Sequence, residues 1–307
     1  MNYQTGSTQA TVFSRALFCR LWADVFSQKW YPFGPKNELG VIYSQLTRLG
    51  PRKYELSPYG LYWGCDHENI KLSGYFLAKV KQLSRQWNCM SLHWNFRYDA
   101  YPALEQALAQ LGSTRFNIIE SYTHVLDLRD LDFTQIEQNF IKALTRRQIR
   151  IGVNSGLLIR EIKTKSDFDQ HSFIYTDWAI SKKIESKPPQ LIPKLASEMG
   201  ASTLFLGAFK EEKLMAAILV FRDQKEWFYW YGVRDIHDDK YFATDVLLAY
   251  AIQKASENRV RFFNMGGSNK IKSLEFFKER WGAEKRSVWT LSWENPYWSL
   301  IRKLLRK

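Results

Sequence analysis

Apolar residues along this 307-residue chain fall by turns into helical and extended patterns. Across 11–30, Phe13, Leu17, Phe18, Leu21, Trp22, Val25 and Phe26 recur at steps of three and four, which predicts an amphipathic helix. Pro32, Gly34 and Pro35 then break the chain. Extended segments are expected at 41–47, 53–56 and 61–63, a helix at 70–86 and a strand at 89–96. A short helix between Pro102 and Gly112 and an extended segment at 116–128 follow. Asp132 is placed to cap a helix reaching 154. Next come a strand at 157–162, helices at 167–183 and 191–199, strands at 203–209, 214–222 and 227–233, and a helix at 243–258. Short turns join those three strands, so they should be antiparallel neighbours. A last core strand is expected at 288–293, and 297–307 reads as a basic amphipathic helix.

One stretch departs from plain patterning: Arg261-Phe-Phe-Asn-Met-Gly-Gly-Ser-Asn-Lys270. A short apolar strand stops at Gly266 and Gly267, and Ser268 and Asn269 are suited to cap the helix expected at 272–280. Gly282 stands where that helix should end. A strand that ends in glycines and opens into a capped helix brings backbone N–H groups close to a ligand. Inside the helix, Lys278 lies next to Phe277 and two residues before Arg280.

Gly266-Gly-Ser-Asn269 with Ser273-Leu-Glu-Phe-Phe-Lys-Glu-Arg-Trp-Gly-Ala283 resembles the C-terminal end of the FemAB-like proteins, a GNAT-related group. Asn139-Phe140, Leu144-Thr-Arg-Arg-Gln148, Trp230-Tyr-Gly232 and Tyr241-x-Ala-Thr-Asp245 extend the resemblance, which runs from about 138 onward. It implies an α/β fold of two tandem GNAT-like domains, each a mixed, mainly antiparallel sheet flanked by helices. It also implies acyl transfer to an amine, without fixing the acyl group or the acceptor; a cell-envelope precursor of the peptidoglycan type is the acceptor expected first. By the same resemblance, Lys278 steadies the transition-state charge and Phe277 stacks on the terminal base of tRNA. Phe277 as core packing is the competing reading.

The two halves also resemble each other. Ala103-Leu-Glu-Gln-Ala-Leu-Ala-Gln-Leu-Gly112 aligns without gaps on Ser273-Leu-Glu-Phe-Phe-Lys-Glu-Arg-Trp-Gly282, and the same offset matches the flanking elements. Domains are therefore expected at 1–145 and 146–295, with a tail at 296–307. Lys278 corresponds to Leu108, Arg280 to Gln110, and Gly266-Gly267 to Phe96-Arg97. Polar groups at the turn and helix belong to the second half, so the transfer centre is expected there. The first half would be a binding platform, with Arg97, Tyr59 and Lys53 as candidates for holding an anionic acceptor.

A formal charge of +13 favours anionic partners, tRNA among them. Arg146, Arg147 and Arg150 share one helix and could face phosphates, or form a solvated basic face. Tyr231 and Tyr241 flank the expected cleft, as carbonyl donors or as core. The three cysteines, Cys19, Cys65 and Cys89, have no paired spacing, so a reducing compartment and no bound metal are expected. The first ten residues are polar, and no apolar run is long enough to span a bilayer, which suggests the cytoplasm. The apolar side and basic residues of 297–307 could rest on the inner membrane face.

There is no G-x-S-x-G nucleophile signature, so direct attack by the amine is the simpler chemistry. No bound cofactor is expected; the donor is aminoacyl-tRNA or acyl-CoA. The loop that grips the coenzyme A pyrophosphate in GNAT enzymes is glycine-rich. Here its place reads Asp239-Lys-Tyr-Phe-Ala-Thr-Asp245, without glycine, which counts against coenzyme A. The chain also has no room for the long helical arm that the Fem ligases of cell-wall bridges often carry. An acyl-CoA-dependent N-acetyltransferase is the first alternative. A non-catalytic binder of nucleic acid or an anionic surface is the second, motivated by charge and abundant aromatics.

Overall fold

The computed structural model describes 16–27, the segments 29–33, 39–45, 52–55 and 91–96, the single residues 98, 105 and 109, and 116–294 apart from 185, 238 and 239. The chain forms two compact units. The first is Met1–Ser121 with Ser287–Lys307, and the second is Tyr122–Arg286.

In the first unit, helix α1 (Ala16–Val25) ends before the expected residue 30. It buries Phe18, Leu21 and Trp22, and the Trp22 ring stacks on Phe26 at 4.3 Å. Its Cys19 is buried and the thiol is pushed up to about 12, which makes it inert. Strands β1 (Lys29–Phe33), β2 (Leu39–Gln45), β3 (Arg52–Glu55) and β4 (Ser91–Phe96) follow. The patterning did not predict β1, because Pro32 reads as a breaker. Pro32 is tolerated because, among the described strands, β1 is an edge strand that pairs with β2, Pro32 lying opposite Gly40. The β2–β3 pair is antiparallel and the β3–β4 pair parallel. The segments expected at 61–63 and 70–86, and nearly all of the helix before Gly112, lie outside the described residues, as do Tyr59, Arg97 and the tail.

Strand β5 (Phe116–Asp127) carries the chain into the second unit, and β11 (Glu284–Glu294) carries it back. Between them come α2 (Phe133–Asn139), α3 (Ala143–Asn154), β6 (Leu158–Glu161), α4 (Lys165–Lys182), α5 (Leu191–Glu198), β7 (Thr203–Lys210), β8 (Lys213–Arg222), β9 (Glu226–Arg234), α6 (Ala243–Glu257), β10 (Phe262–Gly267) and α7 (Lys272–Glu279). The strand order is β11-β5-β10-β9-β8-β7-β6, a mainly antiparallel sheet in which β9 and β10 run parallel.

Strands β7 and β8 are buried along nearly their whole length, because helices cover both faces of the sheet. Helix α6 contributes Leu247, Leu248, Ala249, Ala251, Ile252 and Ala255 to this core, and Trp281 is fully buried. At the other edge, Arg160 of β6 makes a two-pronged ion pair with the buried Asp167 of α4, at 2.8 Å on each prong. The pair holds that carboxyl well below the usual range.

One sequence expectation changes here. Asp132 does cap a helix, through a complete capping box with Gln135, but the helix stops at Asn139 and a new one starts at Ala143. The break seats Phe140 against Gly282, whose φ of +78° leaves no room for a side chain beside the Phe140 backbone. The domain boundary expected at 145/146 falls inside α3, whereas the compact units divide at 121/122 and 286/287. Helix α3 belongs to the second unit by packing: its Gly152 lies so close to Val246 and the Tyr241 carbonyl that a Cβ would meet them at 2.3 and 2.6 Å.

Candidate active site

The ladder between the parallel strands β9 and β10 pairs Phe262, Phe263 and Asn264 with Glu226, Trp227 and Phe228, and ends there. Strand β9 runs on to Arg234 and β10 to Gly267. Ligands of α/β sheets commonly bind outside the carboxyl ends of such strands. On its other side, β10 bulges against β5 between Asn264 and Gly267. Gly266 sits in that bulge at φ +76°, which favours glycine.

Four groups fix the bulge. Asn264 accepts at its Oδ1 from the Gly266 N–H at 2.8 Å and from the Thr123 hydroxyl at 2.6 Å, and its amide donates to Glu226 at 3.3 Å. Lys278, reaching back from α7, donates from Nζ to the carbonyl oxygens of Gly266 at 2.8 Å and Gly267 at 2.6 Å. Lys278 is only 5% exposed, and burial lowers its ammonium to about 8. An ammonium has three N–H donors and two are engaged with these carbonyls. The nearby carboxylate of Glu275 is itself paired with Lys285 at 3.0 Å. The structure thus holds a largely desolvated cation on two carbonyls, with one donor left over.

His124 of β5 adjoins this turn. Its Nδ1 is 3.4 Å from the Ser268 hydroxyl, and its Nε2 is buried without a partner. Burial, and then the charge of Lys278, lower its pKa and favour the neutral ring. Ser268 therefore faces His124 instead of capping α7. The N-cap of α7 is Ile271, with no side-chain cap bond. Asn269 and Lys270 take left-handed conformations, at φ +48° and +63°, to turn the chain between strand and helix.

A second cluster lies at the C-cap of α7, two residues past Lys278. Arg280 donates to Gln148 at 2.8 Å and is paired with Asp245. Its guanidinium lies 4.9 Å from the centre of the Phe277 ring, which is partly buried and packs against the core. Burial raises the Asp245 carboxyl against the pull of Arg280. The exposed ring of the Phe276-Phe277 pair is Phe276, with the Lys142 ammonium 5.7 Å from its centre.

The other expected residues lie apart from Lys278. The guanidinium of Arg146 donates to the carbonyls of Glu137, Gln138 and Ile141, closing the end of α2. Arg147 and Arg150 are exposed on the outer face of α3. The Tyr231 hydroxyl is 2.9 Å from His171 Nε2 within a buried aromatic cluster. Tyr241 packs against the core below Lys240. Thr123, His124, Glu226 and Asn264 were not singled out from sequence. The available signals were a polar Asn264 within an otherwise apolar strand and a Thr-His pair within β5.

Residues 144–279, which lie within the second unit, match the acetyltransferase (GNAT) domain family. Among the curated proteins none matches the sequence. The fold of the whole chain is similar to that of the solved structure of FemX, with a TM-score of 0.73 at 10% identity over 96% of each chain. It is also similar to the C-terminal domain of a putative lysylphosphatidylglycerol synthetase from Agrobacterium fabrum, with a TM-score of 0.65 at 13% identity over 93% of this chain and 90% of that one. A tandem GNAT protein from the clavulanic acid pathway gives 0.50 at 13% identity over 87% and 82%. Residues 144–279 thus match a GNAT domain, and the chain as a whole has a fold like that of FemX.

Proposed function

We propose that the protein transfers an aminoacyl or other activated acyl group to an amine of a cell-envelope precursor, by direct attack of the amine on the donor ester. The observation that carries this reading is the buried Lys278 ammonium, held at the open end of β10 by two glycine carbonyls. Attack on an ester creates a tetrahedral oxyanion, and a fixed cation in a water-poor setting can stabilise it without reorganising. The remaining N–H of Lys278 is the donor assigned to that oxygen. The Gly266-Gly267 backbone sets the position of the ammonium, and Asn264 sets the position of Gly266.

Aminoacyl-tRNA is the donor we favour over acyl-CoA. A pyrophosphate would use the N-terminus of α6, as phosphates do at other helix starts. Here the first turn of α6 holds the Asp245 carboxylate, and α3 presses on the Tyr241 carbonyl at Gly152. The GNAT domain match itself supports the second reading, an acyl-CoA-dependent N-acetyltransferase. Single-turnover transfer from labelled aminoacyl-tRNA and from acetyl-CoA, onto a peptidoglycan-precursor peptide with a free side-chain amine, separates the two. Transfer from acetyl-CoA alone would select the second.

A further inference from the structure

Helix α3 reads Ala-Leu-Thr-Arg-Arg-Gln-Ile-Arg-Ile-Gly-Val-Asn, with three arginines and no acidic residue. Its inner side is fixed by Thr145, Ile149 and Gly152, and Arg146 is engaged with the carbonyls closing α2. The outer side is exposed among the described residues. Leu144 is 57% exposed and Ile151 41% exposed, seven residues apart and therefore on one face. Arg147 stands between them, with Arg150 on its flank, and both are exposed. Lys142 joins this face to α7, where its ammonium lies over the ring of Phe276, itself 58% exposed. On the same side α7 adds Lys272 and Glu279, both exposed, while Glu275 is engaged with Lys285.

We propose that this face, Leu144, Arg147, Arg150 and Ile151 with Lys142 and Phe276 beside it, docks the protein on an anionic phospholipid surface. Charge complementarity names the sign of the partner, because the helix offers cations and no carboxylate. The aliphatic residues name its kind. Leucine and isoleucine between arginines suit a headgroup and acyl boundary, where the apolar side enters and the basic side chains stay with the phosphates. A single-strand nucleic-acid surface needs flat rings for stacking, and Phe276 is the only ring among these six residues. The docking role does not depend on which group the enzyme transfers.

The test is co-sedimentation of the full chain with phosphatidylglycerol–phosphatidylcholine vesicles, against vesicles of phosphatidylcholine alone. Arg147→Glu with Arg150→Glu should lower the partition coefficient by about tenfold or more. Leu144→Gln with Ile151→Gln should lower it by at least about fivefold. A control pair on α4, Phe173→Gln with Ile180→Gln, should leave it unchanged. All these positions are exposed, and unchanged circular dichroism confirms that each variant folds. Loss in both α3 pairs and not in the control supports the proposal. Loss in the arginine pair alone, in the aliphatic pair alone, or in neither overturns it. So does equal loss in the control pair. Binding of bulk tRNA that disappears in the arginine pair, with vesicle binding unchanged, would make the face a nucleic-acid surface.

Discussion

The ammonium of Lys278 donates to the carbonyl of Gly266 across 2.8 Å and reaches Gly267 from the same position. Helix α7 and the bulge in β10 are thereby tied into one unit, and a cation is fixed where the strand ends. The first consequence concerns pH. Burial lowers the Lys278 ammonium to about 8. In the role proposed for Lys278 the acting form is the charged one, so the transfer rate should fall as the pH rises through about 8. Lys278→Arg stays charged over that range and should remove this alkaline limb, whatever its effect on the maximal rate. A pH–rate profile of the two proteins checks this. A limb that persists in Lys278→Arg assigns the titration to another group.

Two glycines should differ in their tolerance of a methyl group. Gly266→Ala meets only ordinary contacts at 3.5 Å and beyond, so its cost comes from the positive φ, about 1 kcal/mol. Gly282→Ala has the same conformational cost and also meets the Phe140 backbone oxygen at 2.8 Å. It should cost about 2 kcal/mol more. Urea unfolding of both variants measures the difference. Equal costs would mean that the Phe140–Gly282 contact relaxes freely.

Acid should weaken the fold partly through His171. In the unfolded chain a histidine protonates near 6.5, whereas burial holds His171 down to about 4 in the fold. Between those values the unfolded state binds more protons, so stability falls as the pH falls through that window. The full effect is on the order of 3 kcal/mol. Denaturation of the wild type and His171→Gln at pH 7 and pH 4.5 checks it, with the variant expected to lose less on acidification. Parallel losses would show that another group carries the acid sensitivity.

Coenzyme A alone should bind weakly, with a Kd above about 10 μM. Asp245 occupies the helix start that would meet its pyrophosphate, and no glycine opens the preceding loop. Calorimetry settles this, and tighter binding would favour acyl-CoA as the donor.

Much of the fold was legible because patterning carries it. The buried runs of β7 and β8, the long α6 and the strand-to-helix turn after Met265 follow from periodicity and glycine positions. What escaped depended on tertiary contacts. No local signal marks the break after Asn139, which exists because Phe140 seats on Gly282. Pro32 sits in a strand only because that strand is an edge. At the site, Lys278 and its partners Gly266 and Gly267 stood out in the sequence, but the side chains that surround the glycine turn did not. Asn264 and His124 act across β5 and β10, and Thr123 is 141 positions from Asn264. The three clustered arginines looked alike in sequence, yet Arg146 closes a helix while Arg147 and Arg150 face solvent.

The most direct test of the account is the rate of acyl transfer by Lys278→Ala. With the donor that supports wild-type turnover, saturating acceptor and a pH below 8, the variant should be slower by at least tenfold. Its circular dichroism should stay native-like, and Lys278→Arg should retain part of the rate. Wild-type turnover by a correctly folded Lys278→Ala protein would contradict the assignment. The ammonium on Gly266 and Gly267 would then be a clamp for the bulge and not a group that acts on the substrate.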